Sequence, residues 1–210
     1  MGMLFLTALG IAFSGAIMPG PVLTYTIRQS LTSGPKAGFL IMTGHAILEI
    51  ALIALIFLGF DVLLQSSAAQ TAIGIVGGLL LTYLGGDMIH SAIRNKIQIQ
   101  VEGEGGASKR MVLSGFLLSA SNPYFLLWWA IIGLGFLLGA YKSFGVAGVV
   151  VFYLGHILAD FIWYGAISTI IGKTRRFINQ RVYRVIVIVL GCMLVYFGGS
   201  FVYQAVRSLM

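Results

Sequence analysis

Long apolar runs occupy most of this chain and constrain its fold more than any other feature. An α-helix of about 20 apolar residues spans the hydrocarbon core of a bilayer, which is about 30 Å thick, and it satisfies its own backbone hydrogen bonds where water is absent. Six runs of this kind lie at roughly 3–27, 37–60, 71–93, 111–139, 145–171 and 185–206. The sequence therefore predicts an all-α membrane protein with six transmembrane helices and short connectors.

Composition excludes several classes of protein. Charged residues make up only 9% of the 210 residues, against about 25% in soluble globular domains. Cys192 is the only cysteine, which rules out a CxxC redox pair and a disulfide within one chain. No Ser or Cys nucleophile lies in a recognisable catalytic setting, so we expect a membrane protein that is not an enzyme and that has no cofactor.

The net charge of +7 is distributed in a way that indicates membrane orientation rather than nucleic-acid binding. Lys142 and Arg207 lie on one side of the expected bilayer, and 11 of the 13 basic residues lie on the other. These 11 are Arg28, Lys36, Arg94, Lys96, Lys109, Arg110, Lys173, Arg175, Arg176, Arg181 and Arg184. Basic connectors stay in the cytoplasm and attract lipid headgroups. We therefore expect a multi-pass protein of the cell membrane (inner or plasma membrane) with both termini outside, in contact with lipid and without a nucleic-acid partner.

The second half of the chain repeats short patterns of the first half in the same order. GHAILE at 44–49 returns as GHILAD at 155–160, SGAIMPGP at 14–21 matches SASNPYF at 119–125, and GLLLTYLGGDMIHSAI at 78–93 matches GCMLVYFGGSFVYQAV at 191–206. Three helices per repeat place the second repeat upside down in the bilayer, as in many secondary transporters. We therefore expect two inverted three-helix repeats, at 1–93 and 111–210, joined by a polar cytoplasmic linker at 94–110.

Prolines interrupt the first and the fourth apolar runs at corresponding places, PGP at 19–21 and NP at 122–123. A single proline is most simply a packing kink, but matched breaks free backbone groups that must be buried in protein or line a wet cavity. Half-helix ends there carry partial charges suited to a zwitterion or an ion. We therefore expect helices one and four to be broken, with a substrate site at the breaks and their aromatic rim: Pro19, Gly20, Pro21, Asn122, Pro123, Tyr124 and Trp128.

Titratable side chains lie at mid-membrane depth in the second and the fifth runs. His45 and Glu49 lie four residues apart, as do His156 and Asp160, so each pair shares one helix face. A charge at this depth costs from about 2.5–3.5 kcal/mol upward, so such residues usually face a cavity and pair with one another. If the repeats meet as expected, the two pairs approach each other and form a polar centre that can take up a proton on one side and release it on the other. Structural pairs that clamp the second helix to the fifth are the alternative interpretation.

These motifs resemble those of the LysE/RhtB family of amino-acid exporters. The resemblance covers essentially the whole chain and rests on PGP at 19–21, SGPKAG at 33–38, the Gly-containing second run and NP at 122–123. Val22 after PGP and Tyr124 after NP differ from the Asp or Asn, and the Lys, that family members commonly have there. The resemblance implies a secondary active transporter that exports an amino acid or a related small metabolite with the proton-motive force.

A second function stays open from the residues themselves. Imidazole and carboxylate groups are metal ligands, so His45, Glu49, His156 and Asp160 could instead serve a divalent metal-ion exporter. In both cases the partner is a small solute that crosses the membrane. The sequence leaves the oligomeric state open, and a homo-oligomer is compatible with it.

Overall fold

The computed structural model describes residues 1–18, 20–94, 104–174, 177 and 180–209, and it has no strand among them. The helices are α1 Gly2–Ala16, α2 Pro21–Ser33, α3 Lys36–Leu55, α4 Asp61–Gln65, α5 Ser67–Ile93, α6 Glu104–Ala120, α7 Pro123–Trp128, α8 Leu134–Thr174 and α9 Gln180–Arg207. A π-helical turn at Ile56–Phe60 joins α3 to α4, and another at Trp129–Gly133 joins α7 to α8. The predicted all-α class is confirmed for this part of the chain.

Several helical stretches among the described residues are long and apolar enough to cross a membrane. Four qualify directly, Lys36–Leu63, Ser67–Ile93, Pro123–Thr174 and Gln180–Arg207, and the pair α1 and α2, bent by 82°, makes a fifth if it is one broken span. The protein is therefore a multi-pass membrane protein with four to five candidate spans by this criterion. The predicted number of six depends on how the 52 residues of Pro123–Thr174 are divided.

Gly145 divides that stretch. Its φ of 59° and ψ of −148° are not helical, and a positive φ is a conformation that glycine adopts far more readily than other residues. A straight helix of this length would measure roughly 78 Å at about 1.5 Å per residue, which far exceeds a hydrocarbon core of about 30 Å. The break at Gly145 therefore allows the chain to turn back, and the six-span arrangement remains a prediction that this geometry permits.

The helices end and begin at the prolines that the sequence singles out. Helix α1 ends at Ala16, and α2 begins at Pro21 after Gly20, whose backbone is extended. Helix α6 ends at Ala120, and α7 begins at Pro123 after Asn122. Proline suits the first helical position because the N–H that it lacks has no partner within the helix at that position. Pro19 lies outside the described residues.

Close packing at glycines holds the helices together in three main pairs: α5 with α9, α1 with α8, and α3 with α6. A Cβ added to Gly44 on α3 would clash with the carbonyl oxygen of Val112 on α6, and one added to Gly155 on α8 would lie 2.6 Å from the carbonyl oxygen of Phe5 on α1. Small residues let helix backbones approach this closely in membranes. Helix α3 also packs against α8, and this contact carries the titratable residues.

The sequence predicts a polar linker at 94–110. Residues 95–103 of it lie outside the described part of the chain. Helix α6 begins at Glu104, so the last residues of that segment are helical and continuous with the following apolar run. The two repeats, 1–93 and 111–210, remain predictions.

Candidate functional site

Two antiparallel helices supply the four titratable residues that the sequence points to. His45 and Glu49 lie on α3, and His156 and Asp160 lie on α8. All four are buried, with 9%, 0%, 4% and 6% of their surface exposed. The i, i+4 spacing places each pair on one helix face, and the two faces meet, so the structure brings all four side chains together.

One carboxylate oxygen is the centre of this cluster. Oε1 of Glu49 lies 2.8 Å from Nε2 of His156 and 3.3 Å from Nε2 of His45. The indole N–H of Trp129 also donates a hydrogen bond to the same oxygen, at 3.2 Å. Hydrogen bonds that involve a charged group are about twice as strong as neutral ones, so these contacts offset the large cost of burying a carboxylate.

The second carboxylate is held much less closely. Oδ2 of Asp160 lies 3.7 Å from Nε2 of His156 and 3.9 Å from Nε2 of His45, and it has no hydrogen-bond partner. Oε2 of Glu49 and Nδ1 of His156 are also buried without a partner. A buried polar atom left unsatisfied costs about 1–3 kcal/mol. The cluster therefore keeps spare acceptor sites for a proton, a water molecule or a cationic group.

The two histidines have different surroundings although their sequence settings match. Nδ1 of His45 lies 2.8 Å from the hydroxyl oxygen of Ser119 on α6. His156 instead lies among three aromatic rings, with centroid distances of 4.9 Å to Trp128, 5.5 Å to Trp129 and 6.0 Å to Phe152. His45 therefore has a polar partner on α6, whereas His156 is enclosed by aromatic side chains.

The sequence does not predict the contact of Trp129 with Glu49 or that of Ser119 with His45. Both side chains reach residues that are distant in the sequence, so no local pattern reveals the contact. A weak signal existed for Ser119, because it opens the SASNPYF segment that matches SGAIMPGP. The π-helical turn at Trp129–Gly133 is the local feature next to Trp129, and such turns are frequent at functional sites.

A small cavity of about 60 Å³ connects this cluster to the helix breaks. The four titratable residues line it together with Gly20, Asn122, Tyr124 and Trp128. Of the other expected site residues, Pro123 is buried against Gly77 and Pro21 lines a different cavity, while Pro19 is not described. Most of the residues expected at the breaks and at the polar centre therefore surround one cavity.

The N-termini of α2 and α7, which lie near this cavity, are capped differently. The side chain of Asn122 accepts a hydrogen bond from the backbone N–H of Tyr124 and so caps α7. Helix α2 has no side-chain cap, and Gly20 lies close to the side-chain amide of Asn122. The first N–H groups of an uncapped helix carry partial positive charge. A carboxylate group of a ligand would therefore be stabilised at the start of α2, opposite the acidic side chains.

The cluster also has the composition of a cation site. One ligand atom each from His45, Glu49 and Asp160 lie within 4.8 Å of one another, and imidazole with carboxylate suits several divalent ions. A metal ion on Oε1 of Glu49 would compete with the indole N–H of Trp129, which already donates to that oxygen. These side chains could therefore bind a cation, but their existing hydrogen bonds do not require one.

Comparison with known proteins places the chain among transporters. The LysE type translocator family matches residues 13–205. The chain is 22% identical over 202 residues to the putative amino acid efflux protein YcgF of Bacillus subtilis, an alignment that covers 96% of this chain and 95% of that protein. It is 30% identical over 121 residues to a leucine efflux protein of Enterobacter sp., covering 56% of each chain.

A third relative is not named for efflux. The chemotactic transduction protein ChpE of Pseudomonas aeruginosa is 25% identical over 173 residues, which covers 82% of this chain and 84% of that protein. No solved structure matches the chain. Because the family match extends over nearly the whole length, from within α1 to the last turns of α9, this multi-pass membrane protein belongs to the LysE type translocator family and is a transporter rather than an enzyme.

Proposed function

We propose that this protein is a secondary active exporter of an amino acid or a related small metabolite, driven by the proton gradient across the cell membrane. The observation that carries the proposal is the buried cluster of two histidines and two carboxylates at the cavity where the two helix breaks converge. One relative that aligns over nearly the whole chain is named for amino acid efflux, and one that aligns over about half of it is named for leucine efflux. These names support the substrate class and the outward direction of transport.

Reciprocal contacts support the inverted-repeat arrangement. A Cβ on Gly78 would lie 2.7 Å from the carbonyl oxygen of Gly198, and one on Gly85 would lie 2.5 Å from that of Gly191. Gly78 matches Gly191 in the sequence, and Gly85 matches Gly198, so a two-fold axis converts each contact into the other. The polar centre follows the same rule, because that axis exchanges the pair Glu49 and His156 with the pair Asp160 and His45.

The geometry suggests how proton movement is coupled to substrate. Each half contributes one His–carboxylate pair, and each carboxylate has an oxygen without a partner. A proton on one of these oxygens removes a buried charge, so the protonated and ionised centres favour different packing of α3 against α8. Alternating access then means that the repeats rock about this centre and expose it to one side of the membrane at a time.

The volume of the central cavity indicates which conformation of the transporter the structure represents. Its volume of about 60 Å³ is well below the roughly 300–1,000 Å³ of small-molecule sites. An amino acid therefore requires the helices around the cavity to separate. We infer that the structure represents a conformation in which the central cavity is contracted. Both termini lie on the outer side of the membrane, as the basic connectors indicate.

Efflux from proteoliposomes tests the proposal. Vesicles that contain the purified protein are loaded with labelled leucine or other amino acids, and efflux is followed with and without an imposed proton gradient. Efflux that collapses when a protonophore abolishes the gradient supports coupling. Efflux that is saturable but indifferent to the gradient contradicts it, and the absence of amino-acid efflux under all conditions contradicts the substrate class.

The divalent metal-ion exporter is the alternative, and it rests on the close approach of His45, Glu49 and Asp160. The names of the efflux relatives do not favour it. The same vesicles distinguish the two functions, because a metal exporter would show saturable transport of one divalent ion. In that case replacing any of the four side chains with an amide would weaken ion affinity and ion exchange together.

A further inference from the structure

Two larger cavities lie at opposite ends of the α5–α9 pair. The inner cavity, about 390 Å³, is lined by α2, the end of α5 and the start of α9, and contains Arg28, Asp87 and Tyr183. The outer cavity, about 360 Å³, is lined by the start of α5, α7 and the end of α9, and contains Gln70 and Gln204. We call the first cavity inner because the basic connectors lie at that end of the helices.

The walls of the two cavities correspond under the sequence repeat. A shift of 113 residues converts α5 into α9, and it relates four pairs of positions that line one cavity to positions that line the other. The pairs are Gln70 with Tyr183, Gly74 with Val187, Met88 with Phe201, and Ser91 with Gln204. The cavities therefore occupy equivalent places in the two halves, as the two mouths of one transport route would.

Their chemistry, however, is not equivalent. No charged side chain lines the outer cavity, whereas the inner cavity has one cation and one anion, Arg28 and Asp87. No ion pair joins these two within the described residues, and no hydrogen bond to the Asp87 carboxylate occurs there. The guanidinium of Arg28 lies beside the hydroxyl of Tyr183. Opposite charges that line the same cavity without neutralising each other suit a ligand that carries both charges.

Apart from Thr24, Tyr25, Ser91 and Tyr183, the remaining lining of the inner cavity is apolar. It consists mainly of side chains that offer apolar contact on three helices: Ile27, Leu84, Met88, Ile186, Leu190 and Leu194. A volume of about 390 Å³ falls within the range of small-molecule sites, which are typically apolar with a few convergent polar groups. A small zwitterion with an aliphatic side chain matches both parts of this lining.

We propose that the inner cavity is the recognition site at which the substrate is captured from the cytoplasm, and that the substrate is a zwitterionic amino acid with an aliphatic side chain. Arg28 binds the carboxylate, Asp87 binds the ammonium group, and the apolar wall binds the side chain. The proposal deepens the exporter function above and depends on it. The uncharged outer cavity lacks these partners and binds the same molecule less tightly, which favours its release on the outer side.

Side-specific kinetics test this proposal. In proteoliposomes of known protein orientation, leucine is supplied from the inner or from the outer face. We expect a lower KM from the inner face. Arg28→Gln and Asp87→Asn should each raise the inner KM by about tenfold or more, since each removes a charge-assisted hydrogen bond, and should leave the outer KM nearly unchanged. Arg28→Lys keeps the charge but loses the planar fork, so its inner KM should lie between those of the wild type and Arg28→Gln.

Two leucine derivatives separate the charges on the substrate. N-acetyl-leucine keeps the carboxylate alone and leucine methyl ester keeps the ammonium group alone, and both are used as inhibitors of efflux. Arg28→Gln should weaken inhibition by N-acetyl-leucine and spare the ester, whereas Asp87→Asn should do the reverse. The control Arg94→Gln removes an exposed basic residue that lines none of the three cavities and should change neither KM nor inhibition.

The outcomes distinguish this proposal from the exporter function. Amino-acid efflux by the wild type together with unchanged inner KM values in the Arg28 and Asp87 variants would overturn the recognition site and leave the function standing. A lipid in the cavity would give that same result. Absence of amino-acid efflux by the wild type would refute the function itself. If Arg28→Gln does not fold, Arg28→Lys and the inhibition pattern of Asp87→Asn still decide the question.

Discussion

At the scale of single residues, Glu49 and Asp160 occupy matching positions but do not have matching surroundings. Oε1 of Glu49 accepts a hydrogen bond from the indole N–H of Trp129 and lies close to both imidazoles, whereas Oδ2 of Asp160 has no hydrogen bond. Aspartate is one methylene shorter than glutamate, and its closest imidazole contacts are correspondingly longer, 3.7 and 3.9 Å. The less firmly held Asp160 is therefore the better candidate for repeated protonation.

Neutral isosteres at these two positions test the proton-coupling role. Glu49→Gln and Asp160→Asn keep shape and most hydrogen bonding but cannot ionise. We expect gradient-driven transport to fail in the double variant, while exchange of substrate for substrate, which moves no net proton, persists. Net transport, exchange and melting temperature are measured together. Full gradient-driven transport by the double variant would exclude the role.

The melting temperature separates this prediction from a purely structural role. If the cluster only clamps α3 to α8, each variant should lose transport in proportion to its loss of stability. The expected loss for a conservative change at a buried hydrogen bond is about 1–3 kcal/mol. Asp61→Asn serves as the matched control, because Asp61 lies in the first turn of α4 and not at the central cavity, and this variant should transport normally.

At the scale of helices, the packing of α5 on α9 depends on which glycine of each pair faces the partner. A Cβ on Gly85 would lie 2.5 Å from the carbonyl oxygen of Gly191, whereas one on Gly86 would meet nothing within 4 Å. Gly198 and Gly199 on α9 differ in the same way. Adjacent residues of identical type therefore have opposite roles.

Alanine substitutions at these neighbours should give opposite results. Gly85→Ala and Gly198→Ala should destabilise the protein by about 1–3 kcal/mol, since overpacking forces the helices apart. Gly86→Ala and Gly199→Ala should be neutral or stabilise it by up to about 1 kcal/mol through helix propensity. Thermal unfolding in detergent measures all four. Equal effects within each pair would show that the α5–α9 contact is not the one described.

The helix break before α2 is the second feature at this scale. Proline at 19 and 21 should keep α1 and α2 apart, which leaves the uncapped start of α2 at the central cavity. The double change Pro19→Ala/Pro21→Ala restores two backbone donors and should let the first span form a continuous helix. We expect folded protein in the membrane that no longer transports, as measured by efflux.

A connector proline provides the control for that experiment. Pro35 precedes α3, and its carbonyl oxygen accepts a hydrogen bond from the hydroxyl of Ser168. Alanine retains that carbonyl group, so Pro35→Ala should retain transport. Normal transport by the Pro19→Ala/Pro21→Ala variant would reduce the break to a packing feature.

At the scale of the whole molecule, the proposed orientation follows from the position of 11 of the 13 basic residues on one side of the expected bilayer. Basic connectors are retained in the cytoplasm, so both termini should be external. A reporter fused after the last residue should then be active only if it functions outside the cytoplasm. Activity of a reporter that functions only in the cytoplasm would contradict the arrangement of six spans in two inverted repeats.

The sequence by itself determined the class of fold and the residues worth attention. Uninterrupted apolar runs can satisfy their backbone hydrogen bonds in lipid only as helices or closed barrels, and their length predicts helices. Proline disrupts helices locally, so the prolines predict where α2 and α7 begin. The i, i+4 spacing of His45 with Glu49 and of His156 with Asp160 placed each pair on one face for the same local reason.

Only the tertiary structure decided what those faces meet. The contacts of Trp129 with Glu49 and of Ser119 with His45 join residues 80 and 74 positions apart, and they depend on how α3 packs against α6, α7 and α8. The presence of Arg28 and Asp87 in the lining of one cavity likewise depends on α2 facing the α5–α9 pair. Such contacts are products of helix packing, which side-chain volume and the placement of glycines govern over long range, so no local sequence pattern specifies them.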